Sequence, residues 1–283
     1  MAERKISIHQ LPKSPGYLKC WGPRPGNVWI DFDVASLEQV VLAELSEDPA
    51  LMKLYGPEAK PNQCVYLFSG ASYPVVGDQI RKLYDPDNPP ATAELLEEVK
   101  HKLKQPRGLA KRWKLGLSYG MRAGKLQRES RLAGVELTYE QAQGIVAADK
   151  RLYVGVTRWQ EQLEQEWEDR GGWVYDGLGC PTCVCADKKK DLVNRVCQKT
   201  GHSILMQLVY IISKNVEAQK APMWPVIVDF HDETIWEVPL TFAPRAVKLV
   251  GDSLARLNKE LGGTIPMRGA VNVVHNLAEA KCE

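Results

Sequence analysis

No apolar run in this 283-residue sequence approaches the roughly 20 residues that cross a bilayer; the longest, Ser203 to Ile212, is interrupted by Gln207. The opening MAERKISIHQ lacks the apolar stretch of an export signal. Cysteines number only seven, odd and partly clustered, which argues against a disulfide framework and fits a reducing compartment. There is no internal repeat or low-complexity tract, and 44% hydrophobic residues is enough for a core, so disorder as the default state is excluded. A soluble intracellular protein of one large domain or two small ones is expected.

Net charge is missing as a signal too, because 37 Lys and Arg nearly cancel 35 Asp and Glu. The distribution says more. From Lys100 to Arg131 there are eleven basic residues and one acid, Glu129, while the remainder holds 26 basic and 34 acidic residues. A polyanion-binding surface beside a carboxylate-rich metal site would give this asymmetry; so would a solvated basic helix face.

Punctuation divides the chain. Pro12, Pro15, Pro23 and Pro25 with Gly16, Gly22 and Gly26 make an irregular lead-in, followed by a strand from Val28 to Phe32. Leu37, Val40, Val41 and Leu45 fall at helical spacing up to the Asp48-Pro49 step. A charged helix is expected from Thr92 to about Lys104, and a new one from Arg107, after Pro106. Thr138 to Gln141 reads as a capping box opening a long helix to about Glu168, bent near Gly155. The stretch 173–185 reads as a hairpin or loop and Lys189 to Ala218 as a helix. VIVDF and ETIWEV form a hairpin around His231-Asp232, followed by a helix from Pro244 to Leu261 and a strand from Ala270 to Val274. Strands at both ends with helices between predict an α+β protein whose sheet draws on distant parts of the chain.

Three features carry chemistry. His231 and Asp232 are poor residues for a tight two-residue turn, so something other than turn propensity places a carboxylate at that hairpin tip. In VWIDFD, Asp31 and Asp33 lie two apart, hence on one strand face, and local sequence does not choose between them. If two strand ends meet in one sheet, a carboxylate from each could hold two divalent ions about 3.5 to 4 Å apart, an arrangement suited to displacing pyrophosphate. Finally, Arg107, Lys111, Leu115 and Tyr119 recur every fourth residue along one helix stripe, grading from charge for a triphosphate to a flat face for a base.

Together these elements resemble family A DNA polymerases, the bacterial DNA polymerase I type. Asp33 to Ser46 is similar to the family's motif A, a catalytic Asp followed five residues later by Glu and an apolar helix ending in Leu-Ser. Arg107, Lys111, Tyr119 and Gly120 match motif B, Arg-x3-Lys-x7-Tyr-Gly. His231, Asp232 and Glu233 match motif C. Asn194, Gln198, Thr200 and Gly201 resemble the intervening N-x3-Q-x-T-[AG] stretch, and the ending with Asn276, Leu277, Ala278 and Lys281 also fits. The resemblance covers about residue 8 to the C-terminus and selects Asp33 over Asp31.

What the resemblance implies is an antiparallel palm sheet carrying the catalytic carboxylates, with a mostly α-helical fingers domain and no thumb. The palm would comprise residues 1–56 and 188–283, the fingers 57–187. Asp33, Asp232 and the backbone carbonyl of Val34 would ligate two Mg²⁺ ions, with Glu233 supporting. Arg107 and Lys111 would hold the incoming dNTP, with Leu115, Tyr119 and Glu38 at the nucleotide and Glu38 excluding a ribose 2′-OH. His231, Gln198, Asn194 and Gly120 would meet primer-template DNA. A second polypeptide would carry the thumb, with or without an exonuclease. A short split enzyme of this kind points to a bacteriophage and the host cytoplasm, without a membrane. The runner-up is a non-catalytic primer-template binding subunit.

Departures from the family pattern accompany the matches. Val34, Ala35 and Ser36 replace Tyr-Ser-Gln, Leu115 replaces Phe or Tyr, and Lys114 replaces a neutral polar residue. The stretch from Asp48 to Arg107 is longer than usual, which implies an insertion in the fingers. Cys180, Cys183 and Cys185 with Cys197 include a zinc-type Cys-x2-Cys spacing, but Cys197 falls among the duplex-facing residues and no second tight pair exists.

Overall fold

The computed structural model describes residues 14–230 and 233–280, and its lead-in holds one short helix, α1 (Pro15–Leu18), before the first strand, β1 (Asn27–Val34). The expected apolar periodicity forms α2 (Leu37–Ser46). Asp48 then caps α3 (Pro49–Tyr55): its Oδ1 accepts from the amides of Ala50 at 2.9 Å and Leu51 at 3.1 Å, and Pro49 occupies the first turn, where no amide partner is needed. Two short helices, α4 (Val65–Ala71) and α5 (Gly77–Arg81), fill the stretch read as an insertion.

Thr92 caps α6 (Ala93–Lys102), accepting from the Leu95 amide. The next helix, α7 (Lys104–Ser118), begins three residues before the expected Arg107. Pro106 sits in its first turn, where a missing N–H costs no helical hydrogen bond. It is followed by α8 (Ala123–Leu132) and then α9 (Tyr139–Leu152), which opens on the expected capping box between Thr138 and Gln141. In place of a bend near Gly155, the chain breaks at Tyr153 and restarts as α10 (Val154–Asp169). The cause lies far away in sequence: Asp48 Oδ2 accepts from the amides of Gly155 at 2.7 Å and Val156 at 3.2 Å. A Cβ on Gly155 would stand 2.6 Å from the Asp48 Cα, so only glycine permits this approach.

A small hairpin follows, β2 (Trp173–Tyr175) and β3 (Pro181–Cys183), its turn tied by Asp176 Oδ1 to the amides of Leu178 and Cys180. The long α11 (Leu192–Gln219) leads to β4 (Trp224–Phe230), β5 (Glu233–Pro239), α12 (Ala243–Leu261), β6 (Gly269–Val274) and α13 (Leu277–Ala280). The main sheet has the order β4-β5-β1-β6, antiparallel throughout, so its central pair joins the two ends of the chain.

The chain divides into two compact units, residues 1–38 with 198–283 and residues 39–197. In the first, α12 lies against β1, β5 and β6, burying Ala246, Leu249, Val250 and Leu257, and ends on Gly262 in the left-handed region. Trp29, Ile235 and Val274 form a buried hydrophobic cluster with Leu18, Leu277 and Ala278 of the terminal helices. The second is all helix apart from the β2–β3 hairpin; there the Trp113 indole N–H donates to Ser130 Oγ at 2.9 Å, linking α7 to α8. Among the described residues, no helix is long and apolar enough to cross a membrane.

Candidate active site

In the first unit the chemistry lies on one face of the sheet. Strand alternation places Trp29, Asp31 and Asp33 on the same side of β1. Asp33 pairs in register with Glu233 on β5 and Ala270 on β6, and Asp31 with Ile235 and Asn272. The face therefore grades from the buried Trp29 cluster, where the indole N–H donates to Glu237 at 3.4 Å, to three carboxylates toward the other end of β1. Asp31 is 2% exposed and Glu233 7%, while Asp33 is half-buried. Gly269 makes the close strand approach possible, since a Cβ there would stand 2.5 Å from the Asp33 carbonyl oxygen. Val34, proposed to present its carbonyl, is buried beside Asp33.

Burial pushes the Asp31 carboxyl up to about 7; the charges of Glu233 and Asp33 push the same way, and the Asn272 side chain, hydrogen-bonded to it, opposes them. Asp31 Oδ1 is buried without a hydrogen-bond partner. His231 and Asp232, between β4 and β5, lie outside the described residues. Glu38 is half-buried in the first turn of α2. On α11, Gln198 is exposed and Asn194 half-buried, and Gly201 packs 3.3 Å (measured to its would-be Cβ) from the Leu37 side chain.

In the second unit, α7 buries Pro106, Ala110, Trp113, Lys114 and Leu117 and leaves Arg107 and Leu115 half-buried and Lys111 exposed. Tyr119 is the residue on which the helix ends, its amide reaching the Gly116 and Leu117 carbonyls, and Gly120 follows in the left-handed region at φ 78°. Both cations lie against one aromatic ring: Arg107 Cζ is 5.6 Å and Lys111 Nζ 5.4 Å from the centroid of Tyr66 on α4. Arg107 Nε is buried without a hydrogen-bond partner. An open groove between α7 and α8, lined by Arg112, Trp113, Met121 and Lys125, carries more of the basic segment's charge.

Lys114 points the other way, into the unit. It is wholly buried, with Nζ 3.9 Å from Asp149 Oδ1 and 3.5 Å from the Tyr153 ring centroid. Tyr73 OH donates to the same Asp149 oxygen at 2.7 Å, and Tyr153 OH lies 2.7 Å from Ser69 Oγ. Burial lowers the Lys114 ammonium and raises the Asp149 carboxyl.

The donor set on the sheet suits a hard divalent cation: its carboxylate oxygens repel one another, and a cation would relieve that repulsion. Among the described residues no three His, Cys, Asp or Glu side chains stand close enough to hold a metal by themselves, and the same holds for the cysteines, of which Cys197 is buried and Cys180, Cys183 and Cys185 are exposed. Sequence reasoning missed Tyr66, which belongs to no motif and lies 41 positions before Arg107. It also left Lys114 as a substitution without a partner.

A family model described as DNA polymerase family A matches residues 18–279. Among solved structures, the chain is similar to the POL domain of Pol1 from M. smegmatis in complex with DNA primer-template and dNTP, with 14% identity and a TM-score of 0.74. That match covers 98% of this chain and 45% of the other, so the present chain spans less than half its length. At this identity the likeness shows a shared fold. No curated protein sequence matches. Family A polymerases use divalent metal ions, in keeping with the donor set on the sheet. The family match takes in both units and all the described motif residues, and the chain belongs to DNA polymerase family A.

Proposed function

We propose that the chain is the catalytic portion of a template-directed DNA polymerase, adding deoxynucleotides to a primer 3′-hydroxyl with two Mg²⁺ ions. The observation that carries this reading is the register of Asp33 with Glu233, which sets motif A beside the end of motif C on one sheet face. In this reading residues 1–56 and 188–283 are the palm and 57–187 the fingers.

Asp33, the Val34 carbonyl and Asp232 would hold the metals. Bound there, two divalent ions supply Lewis acidity to the attacking and leaving oxygens of an in-line displacement. Arg107 and Lys111 would bind the triphosphate and counter charge on the leaving pyrophosphate. Tyr119 and Leu115 would face the nucleotide, and Glu38 would fill the space of a ribose 2′-OH, rejecting the wrong sugar by exclusion. With Leu115 smaller than the usual aromatic residue, sugar selectivity or speed should differ from the family norm, with the metal ligands unaffected. His231 would meet the primer end, Asn194 and Gln198 the duplex.

Primer extension with Mg²⁺ and all four dNTPs tests the proposal. Asp232→Ala should lower the rate at least about 10³-fold, roughly 4 kcal/mol of barrier. Undiminished extension by that variant would remove the two-metal assignment. Duplex binding without extension by the unaltered chain would favour a binding subunit.

A further inference from the structure

The ring of Tyr66 is where it is because α4 and α7 pack unusually close. A Cβ on Gly70 of α4 would lie 2.8 Å from the Ala110 Cβ of α7 and 2.5 Å from Ile80 Cδ1, so the contact excludes any larger residue. Tyr66 stands one helical turn before Gly70 and therefore on the same face of α4. Ala110 lies between Arg107 and Lys111 on α7. The Gly70–Ala110 contact thus brings the Tyr66 ring against both cations, each within the roughly 6 Å over which a ring face attracts positive charge.

Two like charges one turn apart on a helix repel and would otherwise splay their side chains apart. A shared aromatic face offsets part of that repulsion and restricts both chains without consuming their N–H donors, since a ring face attracts charge yet leaves the polar hydrogens free. The buried, unpartnered Nε of Arg107 is such a donor.

We infer that Tyr66 is a positioning residue: its ring locks Arg107 and Lys111 into one preorganised receptor for a polyphosphate. The inference rests on the reading that these two cations hold the triphosphate of the incoming nucleotide. The ring face, and not the hydroxyl, does the positioning. It lowers the ordering cost that two long, flexible side chains would otherwise incur on binding.

The test is equilibrium binding of inorganic tripolyphosphate and, separately, of dATP to the full chain, with thermal melting as a control for folding. Tyr66→Leu should weaken tripolyphosphate binding about tenfold, while Tyr66→Phe, which keeps the ring, should remain within about twofold of the unaltered protein. Tyr66→Leu should cost less in the Lys111→Ala background than in the unaltered protein, because the ring acts through both cations and only Arg107 then remains for it to hold. If Tyr66→Leu melts early, Tyr66→Met carries the same comparison. Full binding by the Leu or Met variant, with Lys111→Ala impaired, would overturn the role of Tyr66 and leave the cations' role standing. Additive losses in the double variant would overturn it as well. Unimpaired binding by both Arg107→Ala and Lys111→Ala would remove the triphosphate reading and the inference together.

Discussion

In the helical unit each buried carboxylate meets only donors, whereas on the sheet Asp31 has the Asn272 side chain as a donor but two carboxylates of its own sign as neighbours. Asp48 accepts from four backbone amides, two at the start of α3 and two at the start of α10. Asp149 has the Tyr73 hydroxyl and the Lys114 ammonium. The charges acting on Asp31 are Glu233 and Asp33, both of its own sign, and none of the described residues forms an ion pair with it. The first arrangement is how a protein buries charge to hold itself together. The second is a standing electrostatic cost, of the kind that a ligand of opposite charge relieves. Removing a matched carboxylate should therefore destabilise the fold, and neutralising the unmatched one should stabilise it.

The largest effect is expected at Asp48. Asp48→Ala leaves two helix N-termini uncapped and four amides without their acceptor, and the loss should be about 4 kcal/mol, read from the shift of a denaturant midpoint. A loss near that of an ordinary exposed cap, about 1 kcal/mol, would mean that water takes over the amides and that the α3–α10 tie is not stabilising.

Next comes Asp149→Ala, expected to cost about 3 kcal/mol because Lys114 is left buried without its counter-charge. Lys114→Met combined with Asp149→Leu should recover only part of that loss: the apolar pair carries no desolvation cost, but the buried Tyr73 hydroxyl is left without its acceptor. If the double variant is instead worse than the single, the pair contributes more than charge matching, and the contrast with the sheet weakens.

These same residues mark what the sequence discloses and what it does not. Elements with local determinants are legible: the Thr138–Gln141 capping box, the pairing of β4 with β5, and the helix from about Pro244 to Leu261. A sheet drawing on both ends of the chain was also legible, because strand patterns stand at both ends with helices between, while its antiparallel order was implied by the family resemblance. The break at Tyr153 was not, because the carboxylate that imposes it comes from Asp48, on another helix start. Motif spacing singled out Arg107 and Lys111, but nothing local could foretell the Tyr66 ring, which reaches them only through the Gly70–Ala110 contact. Likewise VWIDFD shows two acids on one face, whereas the cost of burying Asp31 beside Glu233 exists only once β1 and β5 pair.

The smallest effect, and the one opposite in sign, is expected at Asp31→Asn. A carboxyl held near 7 in the folded chain and near 3.8 in the unfolded chain takes up a proton on folding across that interval. The unfolded chain then binds fewer protons than the folded one, so stability falls as pH rises from about 4 to 7 and is level on either side. Asn never ionises. It should therefore match the unaltered protein near pH 4 and exceed it by about 2 kcal/mol at pH 8 in metal-free buffer, half of the roughly 4 kcal/mol that the full displacement from 3.8 to about 7 would give, because solvent screens part of it; denaturant titration at both pH values measures this. Added Mg²⁺ should narrow the gap at pH 8, because a cation near Asp33 and Glu233 removes the repulsion that the substitution removes by other means. An Asn variant less stable than the unaltered protein at pH 8 would show that Asp31 has a matched partner after all, and the two regions would then bury charge in the same way.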